Sequence, residues 1–105
     1  MYFSSEKDRS SEKVGGVEGA SRKYLSKGEK IQVVQLEMKA GTKIPEHAHP
    51  EEQAGYILRG KFEVDIGGEQ GVLLEGYFFW IPKNVPHSGF IYEDTVLIDI
   101  YSPPR

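Results

Sequence analysis

From Val14 onwards, apolar residues recur at every second position in short runs, and Gly and Pro separate the runs. Alternation of this kind sends successive side chains to opposite faces of an extended chain, so each run predicts a half-buried β-strand. Gln32 to Met38 sets Val34, Leu36 and Met38 on one face and ends at a turn around Gly41. Lys61 to Ile66 turns Phe62, Val64 and Ile66 inward and Lys61, Glu63 and Asp65 outward. Gly67-Gly68 then supplies the positive φ angles of a two-residue hairpin, with Val72 to Leu74 as the returning strand. Tyr77 to Ile81 is apolar at both parities, which predicts a strand lying between two layers. His87 to Tyr92 and Thr95 to Tyr101 are the last two strands. No stretch after Val14 keeps a 3.6-residue apolar period with caps at both ends. The expected fold is all-β, a small antiparallel barrel or sandwich. Residues 1–13, MYFSSEKDRSSEK, offer little apolar surface and read as a flexible tail, leaving 14–105 as the barrel.

Composition narrows this further. A chain of 105 residues with 38% hydrophobic content is one domain's worth. The absence of Cys excludes disulfides, thiolate metal sites and cysteine nucleophiles, and it fits a reducing compartment. Thirteen basic against sixteen acidic residues give a net charge of -3, which provides no basic footprint for nucleic acid or an anionic membrane. The apolar runs fall far short of the roughly 20 residues of a membrane helix, and the first residues lack the apolar heart of a signal peptide. A soluble, cytoplasmic protein is expected, and the edges and apolar faces of so small a sheet favour a homodimer.

The chain has three histidines, His47, His49 and His87. Residues two apart on extended chain project to one side, so His47 and His49 can present two ring nitrogens to one point. Gln53 lies at even spacing from His49 beyond a bend at Pro50, and its side-chain oxygen is a candidate neutral fourth ligand. His87 follows Pro82 and Pro86, which fix the entrance to a strand, and would reach the others from across the barrel. Imidazole and carbonyl donors together suit one divalent transition metal, Zn, Ni, Fe or Mn.

The spacing of glycines and prolines around these residues adds a family likeness. Gly41, His47-Ala48-His49, Gln53 and Gly60 resemble the first cupin motif, G-x5-H-x-H-x3,4-E-x6-G. Gly76, Pro82, Asn84 and His87 resemble the second, G-x5-P-x-G-x2-H-x3-N. The resemblance implies a single-domain, RmlC-like cupin jelly roll. Gln53 replaces the Glu of many cupins, Asn84 replaces Gly and Ile91 replaces the last Asn. Asn tolerates positive φ, so the turn at Asn84 should survive. An amide in place of a carboxylate leaves the metal its full positive charge, which suits an anionic ligand.

Gly19 to Leu25, His47 to Tyr56 and Asp99 to Arg105 further resemble the small KdgF-type cupins of pectin and alginate breakdown. Members of that type linearise 4,5-unsaturated monouronates to 4-deoxy-5-keto uronates. The resemblance implies His47, His49, Gln53 and His87 as metal ligands and Asp99, Tyr101 and Arg105 as the residues beside a small anionic sugar-acid substrate. Leu97, Asp99 and Tyr101 share one parity and Val96, Ile98 and Ile100 the other, so the pattern leaves open which side faces the cavity. Tyr56, Phe78, Phe79, Trp80, Phe90 and Tyr101 are expected to be mostly core. A metal-dependent dioxygenase or isomerase on the same scaffold and a sugar-acid binding or sensing cupin are the alternatives.

Overall fold

A computed structural model describes residues 2–105. The strands are β1 (Glu12–Lys13), β2 (Ala20–Lys27), β3 (Gln32–Met38), β4 (Lys43–His47), β5 (Glu52–Ile66), β6 (Glu69–Leu74), β7 (Phe78–Ile81) and β8 (His87–Ser102), so the runs His87 to Tyr92 and Thr95 to Tyr101, expected as two strands, form one, and β1, β2 and β4 arise outside the expected runs. All pairings are antiparallel, in the order β1-β2-β3-β8-β5-β6, with β4 on β8 and β7 on β5. The two long strands run together along their length and bend where the register shifts between Ile57 and Phe62. Before that bend β5 pairs with β7, and after it with β6; β8 pairs first with β4 and then with β3. Gly60 sits in the bend at φ +115, and a Cβ there would run into Thr95 of β8. The corner therefore requires glycine.

The barrel encloses one apolar core. Ile57, Ile91 and Leu97 are fully buried, and Phe62 meets Phe79 edge to face at 6.2 Å between centroids. Burying each such side chain contributes about 1.5–3 kcal/mol. The hairpin at Gly67-Gly68 forms as expected, with φ of +58 and +92 and Ile66 paired to Glu69. Gly55 pairs with Asp99 on β8, and the Phe79 ring covers the space that a Cβ would fill. Gly55→Ala should therefore lower stability by about 1–3 kcal/mol and the melting midpoint by several degrees. Thermal unfolding followed by circular dichroism checks this, and an unchanged midpoint would mean that the ring is free to move aside.

Two expectations about burial change. Tyr77 to Ile81 does not lie between layers: Phe79 and Ile81 point inward, but Phe78 is 78% and Trp80 60% exposed. β7 pairs only with β5, and among the described residues nothing covers its outer face. Of the six aromatics expected to be mostly core, only Phe79 and Tyr101 are buried. Of residues 1–13, expected to form a flexible tail, Met1 lies outside the described residues. Glu6–Asp8 forms one 3-10 turn capped by Ser5, Lys23 Nζ holds Glu6 at 2.7 Å, and Glu12–Lys13 pairs with β2.

Candidate metal centre

The histidines converge by a route different from the one their spacing suggests. His47 is the last residue of β4, but His49 lies beyond it in the bend before β5, so the two do not share a strand. His87 opens β8 and is the direct antiparallel partner of His47, so it arrives from the neighbouring strand and not from across the barrel. Asn84 at φ +62 donates its N–H to the His49 carbonyl at 2.8 Å, tying the second motif's turn to the first motif's bend. One nitrogen from each ring falls within 4.8 Å of the others, forming a group able to hold a metal ion. Ring centroids are 4.2 Å apart for His47 and His87 and 4.9 Å for His49 and His87.

Hydrogen bonding fixes which nitrogens face inward. Nδ1 of His47, His49 and His87 donates to the carbonyl of Pro45 at 2.8 Å, of Glu51 at 3.0 Å and of Val85 at 2.9 Å. Carbonyls only accept, so each Nδ1 carries the proton and each Nε2 keeps a lone pair. Burial pushes His49 below the ordinary imidazole range, with the Arg105 guanidinium acting in the same direction. Burial also pushes His87 down, reinforced by the two neighbouring imidazoles and Arg105. Both rings are therefore neutral at pH 7. Among the described residues, His87 Nε2 is buried without any hydrogen-bond partner. A buried, unpaired lone pair costs about 1–3 kcal/mol unless something accepts it.

Gln53 completes the pattern. Its Nε2 donates to Asp99 Oδ1 at 2.9 Å, which turns Oε1 towards His49 Nε2 at 3.1 Å. With the His49 proton on Nδ1, these facing atoms are both acceptors, an arrangement that a cation between them relieves. Three imidazole nitrogens and one amide oxygen are a donor set that fits a divalent transition metal.

Asp99 is 2% exposed, and its parity puts it inside with Leu97 and Tyr101, while Ile98 and Ile100 face outward. Tyr101 Oη donates to Asp99 Oδ2 at 3.3 Å. Burial pushes the Asp99 carboxyl up to about 7, against the bonds from Gln53 and Tyr101 and the charge of Arg105, which favour ionisation. Burial and the Asp99 charge push the Tyr101 phenol up, so it stays neutral. Arg105 lies over the Tyr101 ring at 5.4 Å, its Nε sits 3.6 Å from Glu51, and its backbone N–H donates to the buried Gln32 at 2.8 Å. That bond holds the Arg105 backbone at the cavity.

His47, His87, Gln53, Asp99, Tyr101 and Arg105 all line one cavity of about 350 Å³, the size of a small-ligand site. Arg22, Tyr24 and Gln32 line it as well, from β2 and β3. Sequence reasoning gave these three no role. Their signal was parity with Ala20 on β2 and with Val34 on β3, which turns them towards the interior.

The family model described as "Cupin domain" matches residues 34–101. The chain is 32% identical over 90 residues to the pectin degradation protein KdgF of Dickeya dadantii, covering 84% of this chain and 82% of that one. The structure of KdgF from a Halomonas species superimposes with a TM-score of 0.92 at 28% identity, covering 100% of this chain and 96% of that one. Quercetin 2,3-dioxygenase of Bacillus subtilis is 34% identical over 64 residues, which is 60% of this chain but 19% of that protein.

Proposed function

The chain belongs to the cupin family and is a KdgF-like member of it, and from that premise we propose that it opens the ring of 4,5-unsaturated monouronates in pectin and alginate breakdown. One observation carries this reading. Three imidazole nitrogens, of His47, His49 and His87, lie within 4.8 Å of one another, and Gln53 Oε1 stands 3.1 Å from one of them, His49 Nε2, while its amide holds the buried Asp99 carboxyl. The three histidines and Gln53 would hold one divalent transition metal, which would supply Lewis-acid stabilisation of negative charge on a substrate oxygen.

The rest of the chemistry belongs to the protein's own side chains. Loss of the anomeric hydroxyl proton forms the C1 carbonyl and breaks the C1–ring oxygen bond, and the electron pair is left on an enolate across C5 and C4. Protonation at C4 gives the 5-ketone, so the reaction is an isomerisation that needs no co-reactant. Asp99, poised at about 7, is suited to take the first proton and return one at C4. Tyr101 holds Asp99 Oδ2 and walls the cavity, while Arg105 pairs with the substrate carboxylate.

Lyase-generated unsaturated monouronates test this directly, through loss of the C4=C5 ultraviolet absorbance. Acceleration over the spontaneous rate that a chelator abolishes is the expected result; a rate equal to the spontaneous one would overturn it and leave a sugar-acid binding role. Likeness to quercetin 2,3-dioxygenase favours a second reading, oxygen-dependent chemistry at the same centre. Consumption of O2 with a flavonol, unaffected by Asp99→Asn, would establish that one instead.

The reading extends to assembly. Trp80, Ala54 and Ile100 form one row across β7, β5 and β8, and Phe78, Tyr56 and Ile98 form the next. Phe78, Trp80, Tyr56 and Ile100 of this outer face are exposed. An aromatic side chain carries about 150–250 Å², so two such faces approach the ~1,200 Å² of small stable interfaces. A second copy of the chain is the occupant we assign to it. Trp80→Glu should convert a species of twice 11.8 kDa to a monomer in sedimentation; a monomeric wild-type chain would contradict the assignment. Among the described residues no helix is long and apolar enough to cross a membrane.

A further inference from the structure

The cavity holds two arginines, and they are built in the same way. Arg105 lies over Tyr101 and is held by Glu51 of a neighbouring segment. Arg22 lies over Tyr24, 5.0 Å from the ring centroid, and its Nε is held by Glu12 at 3.3 Å. Each guanidinium is oriented by a ring beneath it and one carboxylate beside it, which leaves further N–H groups free to donate. Both side chains line the same cavity.

The strand register separates them by a usable distance. Arg22 pairs with Leu36, and Gln32, which receives the Arg105 N–H, lies four residues away along the same strand β3. Four residues of strand span about 13 Å of backbone, and the guanidinium groups lie over Tyr24 and Tyr101 respectively, whose partners Val34 and Gln32 are two residues apart on β3, so the two charges face the cavity at separate points that suit a short carbon chain with an acid at each end. Asp99 lies between them in register, since Tyr24 pairs with Val34 and Val34 with Asp99.

We propose that Arg22 is a second anion anchor of this cavity, and that the site binds a six-carbon sugar chain carboxylated at both ends more tightly than the corresponding monouronate. This deepens the sugar-acid reading and rests on it. Arg105 takes the carboxylate common to both ligands, and Arg22 takes the group at the other end of the chain. In a monouronate that group is the anomeric oxygen, which Arg22 can still hydrogen-bond, so the residue also fixes which way round the sugar lies. Glu12 competes with the ligand for the Arg22 guanidinium and keeps it in place when the cavity is empty of anion.

Equilibrium binding of non-reacting probes tests this apart from turnover. Galactarate, galacturonate and galactitol carry two, one and no carboxylates and can be titrated calorimetrically into the Zn-loaded full chain. Galactarate should bind about tenfold more tightly than galacturonate, as one added charge-assisted pair at a partly exposed site provides. Arg22→Gln should weaken galacturonate, which loses one neutral hydrogen bond, less than galactarate, which loses a charge-assisted pair, and so remove that advantage; Arg22→Lys should retain part of it, and Glu12→Gln should enlarge it. The pair Arg22–Glu12 is exposed, so the variants should melt with the wild type. Equal affinity for the two acids, or an advantage that survives in Arg22→Gln, overturns the second anchor and leaves the uronate reading standing. Failure of both acids to bind overturns both.

Discussion

Asp99→Asn should leave metal content at the wild-type level and lower turnover of the unsaturated monouronate by about 10²–10⁴, the worth of a placed proton-transfer group. Asn matches the carboxylate in shape, its Oδ1 can accept from Gln53 as Asp99 does at 2.9 Å, and its amide can meet Tyr101. The substitution therefore removes the titrating group and keeps its frame. Stability should move the other way. In the native chain the carboxyl holds its proton up to about 7, whereas an unfolded Asp loses it near 3.9. The native state thus binds more protons between those values, and stability falls as pH rises through them, by at most about 1.4 kcal/mol per unit. Asn carries no such penalty. Metal-free Asp99→Asn should melt above the metal-free wild type at pH 8, with the difference closing towards pH 4. Normal turnover in the variant, measured by absorbance, would remove Asp99 from the proton path.

His49→Ala should abolish metal retention and turnover together, since it deletes one of three imidazoles that meet within 4.8 Å. Gln53 stays held through its amide by Asp99 at 2.9 Å, so the loss is traced to the missing imidazole. Loss of turnover without loss of metal would assign His49 to the substrate instead. The paired outcome, metal kept in one variant and lost in the other, separates the roles of Asp99 and His49 in a way that activity alone does not.

How much of this was readable beforehand varies with the physical origin of each feature. The limits of β3 and the hairpin at Gly67-Gly68 follow from local chemistry, namely side-chain alternation and positive φ, so they were legible. So was the turn at Asn84, whose φ of +62 suits an amide side chain. The meeting of His47, His49, Gln53 and His87 was legible from motif spacing, but its route was not. Parity along one strand does not reveal that the bend after Ala48 carries His49 off β4, or that β4 and β8 are neighbours. Whether Asp99 or Ile98 faces inward depended on which side of β8 meets the core, a tertiary fact. The exposure of Phe78 and Trp80 is likewise set by what does not cover β7. Arg22 escaped notice because its partner Glu12 lies in a segment too polar to suggest structure.

Metal uptake by the stripped protein bears most directly on a centre built from His47, His49, His87 and Gln53. One equivalent of divalent transition metal per chain is expected at pH 7.5, with the ring-nitrogen resonances of all three Nε2 atoms displaced and Nδ1 still protonated. Because His49 and His87 sit below the ordinary imidazole range, affinity should hold down to about pH 6.5 and weaken only below it, where protons begin to compete. No uptake at pH 7.5, or uptake equally tight in His49→Ala, would contradict a metal centre at these residues.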